Sequence, residues 1–303
     1  MTRAALALAL LLCLCAVSQA ADPPQVGSFS LTFTEKAPAS DPVKITQRTG
    51  WLLSTIKNKI DINYDLATET FETYIPAKYD GDSPYGLIVW VNAGPNGDVL
   101  ENWKETLDKH KLIWVGANNS GNPRAMLIRM GLAFDAAAGM KKKYKIDDQR
   151  IYVAGFSGGS KIATVLGVAY PEVFRGGIYC CGSDFYRNLP TGEPGHYWPK
   201  GFNAPPGKLL IDSKKQNRHV FVTGEKDMNR ESTQGFAAAY KADGFEHITL
   251  FDIPKMRHQP PDADWFEKGV IALDEIPPPT TKPAMKPATK PGAATRSAKP
   301  KLP

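Results

Sequence analysis

Three side chains spread across this sequence have the types and local settings that acyl-transfer chemistry needs. Ser157 sits in Gly155-Phe156-Ser157-Gly158-Gly159. A serine hydroxyl is a poor nucleophile near neutral pH and needs a base, usually histidine, together with an acid that orients the histidine and stabilises its charged form. The candidate base is His258, in Pro254-Lys255-Met256-Arg257-His258-Gln259. The candidate acid is Asp227, with Glu225 second, in Thr223-Gly224-Glu225-Lys226-Asp227.

The surrounding elements give these choices their weight. Ile151 to Ala154 is a short, apolar, β-rich run, and Ile162, Ala163, Val165, Leu166 and Ala169 follow at helical spacing. A G-x-S-x-G between a strand and a helix is a sharp turn that lifts the serine above the sheet. The same residues elsewhere would mark an ordinary bend. The glycines remove Cβ atoms that would clash, and the following helix N-terminus offers positive potential to an oxyanion.

In open α/β sheets the chemistry gathers beyond the carboxyl ends of the strands. Of the five histidines, His110 follows a helix, His196 lies in an irregular segment, and His219 and His247 open strands. His258 alone follows a strand, read as Ile248 to Ile253. Asp227 likewise leaves the carboxyl end of the strand carrying Val220-Phe221-Val222. Its competing role is to cap the helix expected from 229 to 242. The chain order Ser157, Asp227, His258 is the one described for α/β-hydrolases. The N–H of Gly158 is the first expected oxyanion donor. The second should come from the loop after Val91, where Pro95 has no N–H; Gly94 is the candidate and Ala93 the runner-up.

From Leu87 onward strands and helices alternate, which implies a mostly parallel sheet covered by helices on both faces. Ser28 to Thr34 and Thr70 to Ile75 alternate apolar and polar residues and read as antiparallel strands placed before it. Helices are expected at about 98–110, 124–143, 229–242 and 262–274. The segment 182–217 reads as irregular, and 51–62 as an irregular connection or a further strand. Because 182–217 leaves a strand at its carboxyl end, its Phe185, Tyr186, Tyr197, Trp198 and Phe202 either roof the site or pack the loop onto the body. Asn118 to Asn122 reads as a polar rim.

Residues 1–20 read as a signal peptide: Arg3, an apolar run from Ala4 to Val17, and small residues at Ser18 and Ala20. Residues 21–275 then form one α/β domain. Residues 276–303 form a Pro/Lys-rich tail too poor in apolar residues to order itself. The whole chain carries 37 basic and 31 acidic residues. Six of the basic residues lie in that acid-free tail, which leaves the remainder near neutral. Nothing there suggests nucleic-acid binding; the tail reads first as a solvated extension, with weak contact to anionic surface polymers as the alternative. No stretch after the first 20 residues is long and apolar enough to span a bilayer. Cys180 and Cys181 are expected as reduced, buried thiols, since neighbours on a strand face opposite ways. No cofactor is implied, and no metal motif is visible because the histidines are scattered and H-E-x-x-H is absent.

From about Thr70 to Asp274 the chain resembles the secreted α/β-hydrolases related to polyhydroxybutyrate depolymerases and feruloyl or acetylxylan esterases. The resemblance rests on Gly155 to Gly159, on Thr223 to Asp227, and on Met256-Arg257-His258 followed by Asp264-Trp265-Phe266. It implies a small-molecule or polymeric ester substrate and places nucleophile, acid and base on Ser157, Asp227 and His258. The chain departs from the pattern at Asn92-Ala93, where many relatives have His-Gly. Two other readings stay open: a non-catalytic hydrolase-fold binding protein, and a serine peptidase of the same fold.

Overall fold

The computed structural model describes residues 23–51 and 62–275. The expected signal peptide (1–20), most of the ambiguous stretch 51–62 and the cationic tail (276–303) lie outside the described residues.

Ten strands are described: β1 (Gly27–Leu31), β2 (Phe71–Ile75), β3 (Tyr85–Val91), β4 (Leu112–Ala117), β5 (Ile146–Phe156), β6 (Gly176–Cys180), β7 (Leu189–Pro190), β8 (Tyr197–Trp198), β9 (Arg218–Lys226) and β10 (Ile248–Arg257). Seven α-helices join them: α1 (Pro42–Thr49), α2 (Lys104–Lys109), α3 (Met126–Lys143), α4 (Gly158–Ala169), α5 (Gly207–Lys215), α6 (Arg230–Ala242) and α7 (Ala263–Asp274). Eight strands form one sheet in the order β1-β2-β4-β3-β5-β6-β9-β10. The β1–β2 and β2–β4 pairs are antiparallel, and every later pair is parallel. β7 and β8 pair separately as a short antiparallel ribbon.

Alternation along the central strands explains why the sheet is covered on both sides. Leu87, Val89 and Val91 of β3, Ile151 and Val153 of β5, and Phe221 of β9 enter one buried cluster with residues of α1, α3, α4 and α6. Ile88, Trp90, Tyr152, Ala154, Val220 and Val222 enter another with α2 and α7. On that second face Trp103 stacks on Phe266 with centroids 4.0 Å apart, and Trp90 and Trp114 complete the cluster. Continuous apolar strands thus mark a doubly covered sheet, which fixes the carboxyl ends of β3, β5, β6, β9 and β10 along one rim.

Two elements differ from expectation. The helix expected from about Asp98 begins only with a 3-10 turn at Glu101–Trp103 before α2. The Trp114 indole donates to the Gly97 carbonyl at 2.9 Å, Gly97 lies hard against the Gly116 backbone, and the chain turns helical only after Leu100. The segment 182–217, expected to be irregular, contains the β7–β8 ribbon and α5. In α5 Ser213 is buried and Leu210 packs on the core while Ile211 is exposed, so its apolar stripe is narrow.

Candidate active site

β5 carries the chain to the rim at Phe156, and α4 starts at Gly158. Ser157 between them has φ 54° and ψ −120°, a strained conformation for a residue with a side chain. Its N–H donates to the Cys180 carbonyl of β6 at 2.8 Å, which holds the turn down while the side chain points out. The flanking glycines are needed for close approach. A Cβ on Gly155 would lie 2.6 Å from the Gly159 carbonyl oxygen, and one on Gly159 would lie 2.1 Å from that of Val91. Gly159→Ala is therefore expected to destabilise the protein by about 1–3 kcal/mol, through backbone shifts where β3 meets α4. Urea unfolding checks this, and a variant with wild-type stability would contradict it.

His258 directly follows β10. That strand runs past the expected Ile253 and is irregular between Ile253 and Arg257, with Lys255 at φ 60°. The His258 Nε2 lies 2.9 Å from Ser157 Oγ, and its Nδ1 lies 2.7 Å from Asp227 Oδ1. The Asp227 side chain is fully buried and accepts further bonds from Thr223 Oγ1 at 2.8 Å and from the Asn229 N–H at 3.1 Å. Burial alone would raise its pKa. The hydrogen bonds from His258, Asn229, Thr223 and Cys181 outweigh that and hold it below the usual carboxylate range. An ionised Asp227 only accepts, so Nδ1 carries the ring proton and Nε2 is left free to accept from the serine hydroxyl.

The other candidates fall elsewhere. Glu225 accepts from the Lys255 N–H at 2.8 Å and braces the irregular end of β10. His110 contacts Glu267, His196 contacts Glu193, and His247 contacts the Lys215 carbonyl. His219 is buried 2.8 Å from the Tyr179 hydroxyl, with its pKa pushed down to about 3 by burial. The Asp227 segment turns on an Asp227 N–H to Gly224 carbonyl bond of 3.0 Å. Its carboxylate does not cap α6 from the N-cap position, which Asn229 occupies.

The N–H of Gly158 stands in the first turn of α4, where no intrahelical acceptor exists. The Asn122 carboxamide packs over Gly158, within 2.1 Å of where a Cβ would be. Gly94 lies in the partly exposed turn after β3, where a Cβ would meet only Asn92 Nδ2, at 3.8 Å. The Ala93 carbonyl accepts from the Asn122 N–H at 2.9 Å. The loop after β3 and the Asn118–Asn122 loop are thereby joined beside Gly158.

Several supporting residues escaped the sequence reading. Arg129 is buried in α3 and donates to the Ser120 and Asn92 carbonyls, both at 2.8 Å, which stitches those two loops together. An arginine within the apolar run Leu127–Ala133 was its visible signal. Cys181 is a buried free thiol at φ 56° whose Sγ donates to the Gln259 carbonyl at 3.2 Å. It also contributes to holding Asp227 ionised, while burial pushes its own thiol pKa up. Asn229 Nδ2 donates to the Cys181 carbonyl at 2.8 Å. Ligand atoms of Cys181, Asp227 and His258 lie within 4.8 Å of one another. Both His258 nitrogens are already engaged by Ser157 and Asp227, so an ion there would have to displace those bonds. Cys180 is also a buried free thiol. Of the five aromatic rings in 182–217, Phe185, Tyr186 and Phe202 are core residues, whereas Tyr197 is exposed and Trp198 is half-buried.

No helix among the described residues is long and apolar enough to cross a membrane. No protein-family model and no curated protein matches the sequence. Solved structures do match in three dimensions. A ferulic acid esterase superposes with a TM-score of 0.52 at 14% identity, over 82% of this chain and 96% of its own. The S-formylglutathione hydrolase of Staphylococcus aureus gives 0.51 at 10% identity, over 80% and 95%. A dipeptidyl aminopeptidase IV candidate from Bacteroides ovatus gives 0.51 at 16% identity, over 83% of this chain. This chain spans only 35% of that last protein's length. At these identities the likeness concerns architecture, and with the sheet order and rim described above it gives the chain the α/β-hydrolase fold.

Proposed function

We propose that the protein is a serine hydrolase that cleaves carboxylic esters through an acyl-enzyme, with Ser157 as nucleophile, His258 as general base and acid, and Asp227 as the acid that orients His258. The observation that carries this reading is the unbroken hydrogen-bonded chain from Ser157 Oγ through His258 to the buried, ionised Asp227. As Ser157 attacks the ester carbonyl, His258 Nε2 takes its proton, and Asp227 stabilises the resulting imidazolium. The N–H groups of Gly158 and Gly94 are the proposed oxyanion donors. His258 then gives the proton to the departing alcohol, and a water activated by the same imidazole releases the acid. We place this catalytic domain at 21–275, exported through residues 1–20 and followed by the cationic tail 276–303.

A panel of acyl, acetyl-sugar, feruloyl and hydroxybutyrate esters, with matched amides, tests this reading. The expected result is turnover of at least one ester class, abolished in Ser157→Ala, with the matched amide much slower. Amide cleavage at a comparable rate would favour a peptidase. Folded protein inactive on every ester and amide would favour a binding role.

A further inference from the structure

Beside the triad lies a cleft of about 290 Å³. Its walls are Lys161 of α4, Asp184 in the loop after β6, Trp198 of the β7–β8 ribbon, and Glu231 and Ser232 at the start of α6. Asn229 also lines it. Two backbone bonds tie this cleft to the triad. The Lys161 N–H donates to the Ser157 carbonyl at 3.2 Å, and the Asn229 N–H donates to Asp227 Oδ1. Two of the cleft's lining residues are therefore bonded directly to Ser157 and Asp227.

Asp184 is its unusual member. Asp184 is half-buried, with its side chain wedged against Gly201 and its Cγ 2.6 Å from where a Cβ there would lie. Among the described residues no hydrogen-bond donor reaches its carboxylate, and Lys161 is its compensating charge. Burial pushes its pKa up to about 6. The carboxylate is partly open to solvent in the cleft, and a ligand hydroxyl entering there would supply a donor that the protein does not. Lys161 is the cation already lining the cleft against the carboxylates of Asp184 and Glu231, and a hydroxyl adds a donor without adding charge. Trp198, Pro199, Met228 and Phe236 give the cleft an apolar portion beside Glu231 and Ser232. Trp198 lies on Gly235 and Phe236 of α6, and Met228 is 79% exposed at the mouth. Acceptors beside an apolar surface suit a carbon skeleton that bears hydroxyl groups.

Resting on the esterase reading above, we infer that this cleft is a substrate subsite for a hydroxyl-bearing part of the ester, with Asp184 accepting from the hydroxyl and Trp198 packing against the carbon skeleton. Asp184 is then a specificity-determining residue outside the reacting atoms.

Two matched substrate pairs test it. Glyceryl monobutyrate against propyl butyrate varies hydroxyls in the alcohol part, and ethyl lactate against ethyl propanoate varies one in the acyl part. Wild type is expected to favour the hydroxylated member of one pair by about 10-fold or more in kcat/KM, the scale of a hydrogen bond to a charged group. Asp184→Ala should reduce that preference to within about 3-fold, chiefly through KM, and leave the hydroxyl-free ester within about 2-fold of wild type. Asp184→Asn, which keeps one acceptor, should fall between. No preference in wild type, a preference that survives Asp184→Ala, or equal loss on both members of a pair would overturn the subsite. Failure to turn over any ester would overturn the esterase reading and the subsite with it.

Stability gives a readout that a merely structural carboxylate would move the other way. A carboxyl pKa higher in the folded than in the unfolded chain adds stability at low pH that is lost as pH rises through the folded value. The charges facing Asp184 are Lys161 from α4 and Glu231 from α6; Trp198 and Pro199 bring none. At pH 8 Asp184→Asn should melt ~2–6 °C above wild type, and the gap should narrow below pH 6. A lower Tm for Asp184→Asn at pH 8 would count against a carboxylate kept for binding.

Discussion

Replacing Ser157 by alanine is expected to lower kcat on an activated ester by about 10⁶-fold, the loss that follows when the nucleophile of such a unit is removed. The size follows from the geometry. Ser157 Oγ is the hydroxyl that faces His258 Nε2 at 2.9 Å, and without it the imidazole has no bound nucleophile to activate. The fold should persist, because the backbone bond from residue 157 to the Cys180 carbonyl does not involve the side chain. His258→Ala should cost a similar amount. The double variant should be little worse than either single one, since the two groups act together. About 10³-fold acceleration over water should remain from the oxyanion donors and substrate binding. Single-turnover kinetics and circular dichroism on the same preparations check both halves. Retention of more than about one per cent of wild-type kcat by folded Ser157→Ala would contradict the assignment.

Asp227→Asn is expected to lower kcat by about 10⁴-fold with little change in KM. The carboxylate accepts from His258 Nδ1, from Thr223 Oγ1 and from the Asn229 N–H, and it stays ionised despite burial. A neutral carboxamide keeps the volume and loses the charge that stabilises the imidazolium. It also presents an NH₂ group that can turn toward Nδ1 and favour the wrong tautomer. Glu225→Gln is the control. Its carboxylate faces the Lys255 N–H rather than the imidazole, so kcat should stay within about 3-fold. The reverse pattern, with Glu225 critical and Asp227 dispensable, would mean that His258 changes partners during turnover.

Much of this architecture was legible because each strand announces its own carboxyl end. The run Leu87–Val91 is apolar throughout, and the structure covers both of its faces. The position of His258 just after β10, and of Asp227 just after β9, follows from the same rule. What stayed hidden depends on contacts between distant segments. The stretch before α2 is tied to β4 by a bond from Trp114 to Gly97. α5 starts at Gly207 directly after Pro205-Pro206, residues that punctuate a chain, and its Ile211 faces solvent. Cys181, Arg129 and Asn229 acquire their places only when β6, α3 and the turn after β9 meet at the rim. The unpartnered Asp184 had no sequence signal, since its isolation is a property of the folded cleft.

Covalent labelling by a fluorophosphonate, mapped by peptide mass spectrometry, tests the central claim most directly. The account predicts a single adduct on Ser157 that forms rapidly in wild type, slows by orders of magnitude in His258→Ala and is absent in Ser157→Ala. Folded wild-type protein that stays unlabelled, or that carries the adduct on another residue while it turns over an ester, would contradict it.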